Sequence, residues 1–330
     1  MVNAPDWFLA PMLCKTTQRE TLDTHGKWDG YIAEPKHDGT RCLAVRFAGE
    51  SVRLFSRSGQ DYTDHVPHLV NELNAWMPSD EDAIVDGELA IISDTFDLGG
   101  KRVPVTDFNK TMRVMGSGAE KARDRQKEFG KNITFIIYDI PQWNGRDLTG
   151  EHFTDRRKTL KHSFTFGSEH LFLNPQFTDP TRFGELFDTL VEHDVEGIII
   201  KNATSLYVFE GRPNSTWFKV KAAVTMDMVV TGFTDGTGKY EGMIGALEFG
   251  RYTDDGVVYV GRCSGMTDAL RKEMSDDRDS FIGRVVEIKS NELCGSKEYR
   301  SPRHPQFVCF RTDKLPEQCL GEELKQDKDA

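Results

Sequence analysis

The sequence predicts a mixed α+β domain over the first two thirds of the chain, followed by a small all-β barrel. Three observations lead there. The chain has 330 residues, more than the ~250 to 300 that one hydrophobic core usually fills. Up to about residue 221, short apolar blocks of strand character alternate with helical periodicities. Beyond that point the pattern becomes short strands separated by Gly/Asp turns, with one polar helix among them. The boundary is expected near residue 222, giving domains 1–222 and 223–330.

The first domain's strand candidates are 41–47, 52–56, 83–92, 133–140 and 195–201, read from alternating or continuous apolar residues. Between them lie two helical faces. Val66, Leu69, Val70, Leu73 and Trp76 fall on one, and Phe183, Leu186, Phe187, Leu190 and Val191 on the other. The second domain offers strands at 226–233, 246–252, 257–263, 283–290 and 306–311, and a helix near 267–275. Five strands and one helix in about a hundred residues suit a barrel of the OB type, a common nucleic-acid platform. No internal repeat or low-complexity segment interrupts this plan.

The formal charge of −11 argues against a chain that coats nucleic acid, whose phosphates demand cationic neutralisation. A local strip breaks the pattern: residues 284–314 hold seven Lys/Arg against four Asp/Glu, before the tail LPEQCLGEELKQDKDA turns acidic again. The six cysteines are scattered, with no C-x-x-C pair and no His/Cys cluster at zinc-ligand spacing, so reduced thiols are expected. No run approaches the ~18 apolar residues of a membrane span, and MVNAPDWFLAPM lacks the basic start and apolar stretch of a secretory signal. A cytoplasmic protein with no membrane partner is expected.

The stretch EPKHDGTR, residues 34–41, raises the question of chemistry. Lys36 follows the strand-like YIAE and precedes Asp38-Gly39, a pair that turns chains. Read blandly, it is a solvated charge beside a turn. To attack phosphorus it must be deprotonated, and a lysine near its reference pKa of ~10.4 keeps its proton at neutral pH. Desolvation at a buried strand end, with a cation such as Arg41 nearby, would depress that value. Asp38 works in the other direction unless it orients the amine or holds a magnesium ion.

Further stretches follow in order: SRSG (56–59), DGE (86–88), FIIYDI (135–140), EGIIIK (196–201), WFKVK (217–221) and, near the C-terminus, RHPQFVCFRTDK (303–314). With EPKHDGTR they resemble the ordered motif set of the covalent nucleotidyltransferases. The match is closest to ATP-dependent DNA ligases, in particular the compact two-domain enzymes of bacteriophages. It runs from Leu9 to Lys314, and chance recurrence of the ordered set is negligible. It implies an α+β nucleotidyltransferase domain of ATP-grasp-like antiparallel sheets with helices, followed by an OB-fold domain.

On this resemblance Lys36 attacks the α-phosphate of ATP and carries AMP, with Glu34, Pro35 and His37 lining the adenine. Arg41 and Arg57 correspond to sugar and phosphate contacts, for which a guanidinium fork is suited. Asp86 and Glu88 share one strand face by the period of two, and acids in so apolar a strand imply a ribose or metal partner. Glu88 is the stronger of the two. Tyr138 stands where the family usually has phenylalanine and would stack on adenine. Glu196 resembles a metal-binding glutamate, a hard oxygen ligand for magnesium, whereas Lys201 reads as a solvated strand end. Lys219 and Lys221 would offset the charge that develops at phosphorus. Arg303, Arg311, Asp313 and Lys314 would close over the nucleotide as the OB domain swings in.

The implied reaction has three steps. Lys36 takes AMP from ATP; AMP passes to the 5′-phosphate of a nicked strand; the 3′-hydroxyl attacks that phosphate and releases AMP. The expected partner is nicked double-stranded DNA, the expected state a monomer, and the expected settings DNA replication, repair and recombination. With no large N-terminal clamping domain, the two domains alone are expected to grip the nick, the 284–314 strip facing phosphates. A GTP-dependent capping enzyme shares the nucleophile motif, the K-x-K pair and the OB domain, but SRSG and RHPQF followed by RTDK favour a ligase. RNA ligases generally lack an OB domain with this last motif, and the zinc cysteines of NAD-dependent ligases are missing. A non-catalytic OB-fold binder would not need the lysine and carboxylates.

Overall fold

The computed structural model describes residues 4–164, 168–213, 216–290, 292–294 and 299–324. Two units divide the chain, Met1–Lys221 and Ala222–Ala330. Lys297 of the basic strip and the tail past residue 324 lie outside the described residues.

In the first unit the strands are β1 (Lys15–Thr16), β2 (Tyr31–Lys36), β3 (Thr40–Arg46), β4 (Arg53–Ser56), β5 (Ala83–Asp97), β6 (Arg102–Thr106), β7 (Ile133–Trp143), β8 (Arg146–Asp147), β9 (Leu171–Leu173), β10 (Gly197–Asn202) and β11 (Trp217–Lys221). The helices are α1 (Pro67–Trp76), α2 (Phe108–Met115), α3 (Ala119–Phe129), α4 (Phe153–Ser163) and α5 (Phe183–Glu192). A smaller sheet runs β1-β11-β10-β2; a larger one runs β4-β3-β5-β7-β8, with β6 added to β5 and β9 to β7.

The period of two sorts the larger sheet's side chains. Cys42 and Ala44 of β3, Val85, Leu89 and Ile91 of β5, and Ile133, Phe135 and Ile137 of β7 join one core with Leu69 and Leu73 of α1, Val114 of α2 and Leu160 of α4. Burial of each large apolar side chain there contributes about 1.5–3 kcal/mol. The interleaved Arg41, Asp86, Glu88 and Tyr138 face away from that core. Arg41 and Tyr138 meet side chains of the smaller sheet, Trp217 and Lys201.

The chain leaves the smaller sheet at Lys36 and enters the larger at Thr40, so Asp38-Gly39 bridges them. A Cβ at position 39 would lie 2.4 Å from the Leu89 carbonyl oxygen, and glycine lets the turn press against β5.

Pro67 opens α1 where a missing amide loses nothing, and Asp107 caps α2 by accepting the Lys110 amide at 2.8 Å. Sequence periodicity does not announce α3 or α4. α3 buries only Ala122 and Gln126, and the inner face of α4 is Phe153, Arg156, Arg157 and Leu160. Polar residues occupy positions where an apolar stripe would otherwise show.

The second unit holds β12 (Val224–Asp235), β13 (Ile244–Thr253), β14 (Gly256–Cys263), α6 (Asp268–Asp276), β15 (Val285–Ser290), β16 (Glu292–Cys294), β17 (Ser301–Arg303) and β18 (Gln306–Arg311). Five strands form one sheet in the order β14-β13-β12-β15-β18. A parallel bridge between Ser264 and Gln306, with the Phe307 amide donating to the Ser264 carbonyl at 2.8 Å, joins the two edges. The sheet thereby curls into the five-stranded OB barrel, around a core that includes Met228, Leu247, Phe249, Val286, Ile288 and Met274 of α6. Among the described residues no helix is long and apolar enough to cross a membrane.

Candidate active site

Between the two sheets of the first unit lies a cleft of about 200 Å³ lined by Leu13, Cys14, Glu34, Pro35, Lys36, His37, Arg41, Arg57, Glu88, Tyr138, Asn174, Ile199, Lys201, Arg212, Trp217 and Lys219. Strand register assembles its floor. Lys36, last in β2, lies opposite Gly197 of β10, and Gly197 lies opposite Lys221 of β11. Glu196, one residue earlier, is thereby brought against both lysines: Lys36 donates to its Oε2 and Lys221 pairs with its Oε1. Gly197 has φ +146°, and a Cβ there would stand 2.1 Å from the Val220 carbonyl oxygen, so the register depends on glycine.

This arrangement corrects the expectation of a depressed Lys36. Burial pulls its pKa down, but the carboxylates of Glu196, Glu88 and Asp38 outweigh burial and hold it above the ordinary lysine value. The partner responds in kind: burial pushes Glu196 up, and the charges of Lys36 and Lys221 more than reverse this. Arg41, the cation expected to repel Lys36, is instead committed to Asp86, with Nε to Oδ1 at 2.9 Å and Nη2 to Oδ2 at 2.6 Å.

Asp86 is the second correction. Expected beside Glu88 as a metal or ribose ligand, it is fully buried, receives the Arg41 fork and the Tyr207 hydroxyl at 2.6 Å, and lines no part of the cleft. Glu88 does face the cleft. Burial pushes its carboxyl up to about 7, against the pull of Lys36 and Arg41. Tyr138 also lines the cleft, and the hydroxyl that phenylalanine would lack donates toward the Gly87 carbonyl at 3.2 Å and Glu88 Oε2 at 3.4 Å.

Lys201 is the third correction. It is 1% exposed, its Nζ 2.8 Å from Glu34 Oε2 and within 4.3–4.8 Å of the ring centres of Trp217, Phe153 and Tyr138. A buried ammonium of this kind is held by a carboxylate and aromatic faces together. Glu34 Oε1 accepts from the Gln176 amide at 2.8 Å, so both its oxygens are engaged.

His37 is fixed as well. Asn174 Nδ2 donates to the Pro35 carbonyl at 3.1 Å, which turns its Oδ1 toward His37 Nε2 at 2.8 Å. Nε2 must therefore carry the proton. Burial lowers the imidazole's pKa to about 4, so His37 is neutral at physiological pH.

The cationic wall consists of Arg57, Lys219 and Arg212. Burial, then the charges of Lys221 and Lys36, lower the pKa of Lys219. Arg212 escaped the sequence reading because its EGRP context carries no pattern of its own. Asp38 does not line the cleft; its amide donates to Thr106 Oγ1 at 3.1 Å. Arg303, Arg311 and Lys314 belong to the second unit. There Arg311 pairs with Asp313 at 2.7 Å, Asp227 at 3.3 Å and Glu287 at 3.5 Å, Lys314 pairs with Asp227, and the Arg303 carbonyl accepts the Ser290 hydroxyl at 2.8 Å. Acids therefore offset part of the strip that the sequence showed as basic.

Among the described residues no group of three His, Cys, Asp or Glu side chains forms a metal cage. Glu88, which lines the cleft, and Glu196, which sits against Lys36 and Lys221, are the oxygen donors on hand. That set fits magnesium, which is commonly held by one or two carboxylates together with substrate phosphates.

Residues 11–221 match the family model described as the ATP dependent DNA ligase domain, and residues 235–311 match the DNA ligase OB-like domain. A DNA ligase of Haloarcula marismortui is 29% identical over 307 residues, 88% of this chain and 53% of that protein. A probable DNA ligase of Pseudarthrobacter chlorophenolicus is 30% identical over 318 residues, 91% of this chain and 58% of that one. The chain spans little more than half the length of these curated relatives. They are archaeal and bacterial proteins, so they lend no support to a bacteriophage origin. Among solved structures, Pmar-Lig_Pre superposes with a TM-score of 0.68 at 23% identity, covering 93% of this chain and 68% of that one. A structure from work on Lig E DNA ligases gives 0.62 at 20%, covering 92% and 99%. At these identities the likeness is one of fold.

Proposed function

The chain belongs to the ATP-dependent DNA ligase family, and on that premise we propose that it seals nicks between a 5′-phosphate and a 3′-hydroxyl in duplex DNA, using Lys36 as nucleophile. One observation carries the reading: a half-buried lysine at a strand end lines one cleft with two carboxylates, Glu34 and Glu88, and the cations Arg41, Arg57, Lys201 and Lys219, all drawn from the ordered motifs.

In the proposed first step the Lys36 amine, freed of its proton, bonds to the α-phosphorus of ATP while the bond to pyrophosphate breaks. Glu196 is the nearest acceptor for that proton. Lys219 and Lys221 meet the charge that builds on the phosphoryl oxygens, Arg41 and Arg57 orient sugar and phosphates, and Tyr138 and Ile199 flank the base. Glu88 and Glu196 would hold magnesium, which when bound supplies positive charge to phosphate oxygens. In the second step the 5′-phosphate of the nick displaces Lys36 from AMP. In the third the 3′-hydroxyl attacks that phosphate and AMP leaves. Replication, repair and recombination are the settings such chemistry serves.

The test is incubation with α-labelled ATP, GTP or NAD and magnesium, comparing the protein with Lys36→Ala, followed by a chase with nicked duplex. Label from ATP alone, lost in Lys36→Ala and passed to the nick, is the expected result. Label from GTP alone would replace this reading with a capping activity, and no covalent label at all would leave a binding protein.

A further inference from the structure

We propose that Tyr207, acting through Asp86, is the positioning residue that aims Arg41 into the nucleotide cleft. The inference rests on the reading of this cleft as the ATP site. Tyr207 lies outside every motif that pointed to chemistry, and it is 3% exposed. Its hydroxyl donates to Asp86 Oδ2 at 2.6 Å, the same oxygen that accepts Arg41 Nη2 at 2.6 Å, while Oδ1 accepts Arg41 Nε at 2.9 Å.

The geometry explains why a third partner matters. A bidentate fork keeps guanidinium and carboxylate coplanar, so the plane of Arg41 follows the plane of Asp86. The terminal torsion of an aspartate is broad and roughly two-fold, so a buried carboxylate held by the fork alone can rock and carry the fork with it. A second donor at Oδ2 removes that freedom. Tyr207 is itself anchored: its amide donates to the Thr149 carbonyl at 3.0 Å, and its ring packs edge-on against Phe209 and Trp217, with centroids 5.0 and 5.8 Å away. The rings of Tyr138 and Trp217 lie 5.3 and 5.9 Å from the guanidinium carbon. With Nε and Nη2 committed, Nη1 has no hydrogen-bond partner among the described residues and is the group left for a ligand in the cleft that Arg41 lines.

Tyr207→Phe deletes one hydroxyl and keeps the ring. In Lys36 adenylylation by the full chain, KM for ATP should rise about tenfold with kcat changed less than about twofold, the mark of a lost binding orientation. In an Arg41→Lys background, where a compact ammonium replaces the fork, adding Tyr207→Phe should change KM less than about twofold, because the two residues act as one unit. Calorimetric ATP binding to Lys36→Ala protein, with and without Tyr207→Phe, should show the same tenfold loss without any chemistry. A lower melting temperature with KM unchanged, or an equal KM effect in both backgrounds, would overturn the proposal and leave Tyr207 as packing. If ATP never labels Lys36 yet binds with this coupling, the ligase reading fails and the positioning role stands; if ATP neither labels nor binds, both fall.

Discussion

Lys36 and Glu196 are locked together by an ion pair across the β2–β10 register, with Lys221 holding the other oxygen of the same carboxylate. The nucleophile is thus stored in its charged, unreactive form. Because its pKa is raised, the neutral fraction below that pKa grows about tenfold per pH unit, and the single-turnover rate of Lys36 adenylylation should climb with pH. A cation that takes up the Glu196 carboxylate withdraws the negative charge that raises Lys36. Increasing magnesium should therefore move the midpoint of the pH profile downward. Glu196→Gln should move it downward at limiting magnesium and shrink the further movement, leaving the smaller part that Glu88 contributes. A midpoint indifferent to both would show that Glu196 does not set the protonation of Lys36.

Glu88 presents the opposite case. Burial raises its carboxyl to about 7, while an unfolded glutamate ionises near ~4.3. Between those values the folded protein binds more protons than the unfolded chain, so the group's contribution to stability declines as pH rises from about 4 to 7 and stays low above it. Glu88→Gln should consequently raise the melting temperature of the nucleotide-free protein at pH 8, with little gain at pH 4.5, while impairing adenylylation at pH 8. A stabilisation equal at the two pH values would mean that the carboxylate is not strained by its burial. The expected pattern is that of a functional site kept at the expense of stability.

Gly197 makes the first pair possible. Its φ of +146° and the 2.1 Å approach that a Cβ would make to the Val220 carbonyl oxygen leave no room for alanine without moving β10 from β11. Gly197→Ala should cost about 2 kcal/mol or more by thermal or chemical unfolding. Because the displaced strand carries Glu196 away from Lys36 and Lys221, it should also flatten the magnesium response described above. A variant that melts early but keeps the wild-type magnesium response would separate the fold from the site.

How much of this was legible in the sequence follows from the kind of residue involved. Strands such as 133–140 and the helix built on Leu69, Leu73 and Trp76 announced themselves because their buried faces are apolar and regular. α4 did not, because Arg156 and Arg157 sit on its buried side. Motif residues were recognisable one at a time, and Lys36, Glu88, Tyr138 and Lys219 do meet in one cleft. Their partners were hidden, since pairing across register or between distant segments leaves no local spacing to read. The links Glu34–Lys201, Asp86–Tyr207 and Asp139–Arg156 span 167, 121 and 17 positions. Two of them reverse the residue-by-residue expectation: Asp86 leaves the metal set, and Lys201 becomes interior.

The last of those links sets a stability test for the scaffold. Arg156 and Asp139 are both fully buried, joined by Nε to Oδ1 at 2.8 Å and Nη2 to Oδ2 at 2.9 Å, while Arg156 Nη1 donates to the Glu151 carbonyl at 2.7 Å and the Ser205 carbonyl at 3.0 Å. The pair thereby ties β7 to the segment that carries Tyr207. Burial pushes Asp139 up, but the Arg156 charge and hydrogen bonds, then the Lys201 charge, bring it below the ordinary aspartate value. A lowered acid contributes stability that is present above the unfolded aspartate value of ~3.9 and disappears as pH falls through the folded value. Arg156→Met leaves a buried carboxylate without its cation and should cost about 3–5 kcal/mol, a loss on the order of 10 °C in melting temperature at pH 7. Replacing both partners, as in Asp139→Leu with Arg156→Met, should recover much of that loss, because two apolar groups need no counterion. The gap between wild type and Arg156→Met should narrow once acid protonates Asp139 in both proteins. A double variant no more stable than the single one would place the weight on the Glu151 and Ser205 carbonyls that Arg156 also holds, making the arginine a clamp on the backbone rather than a counterion.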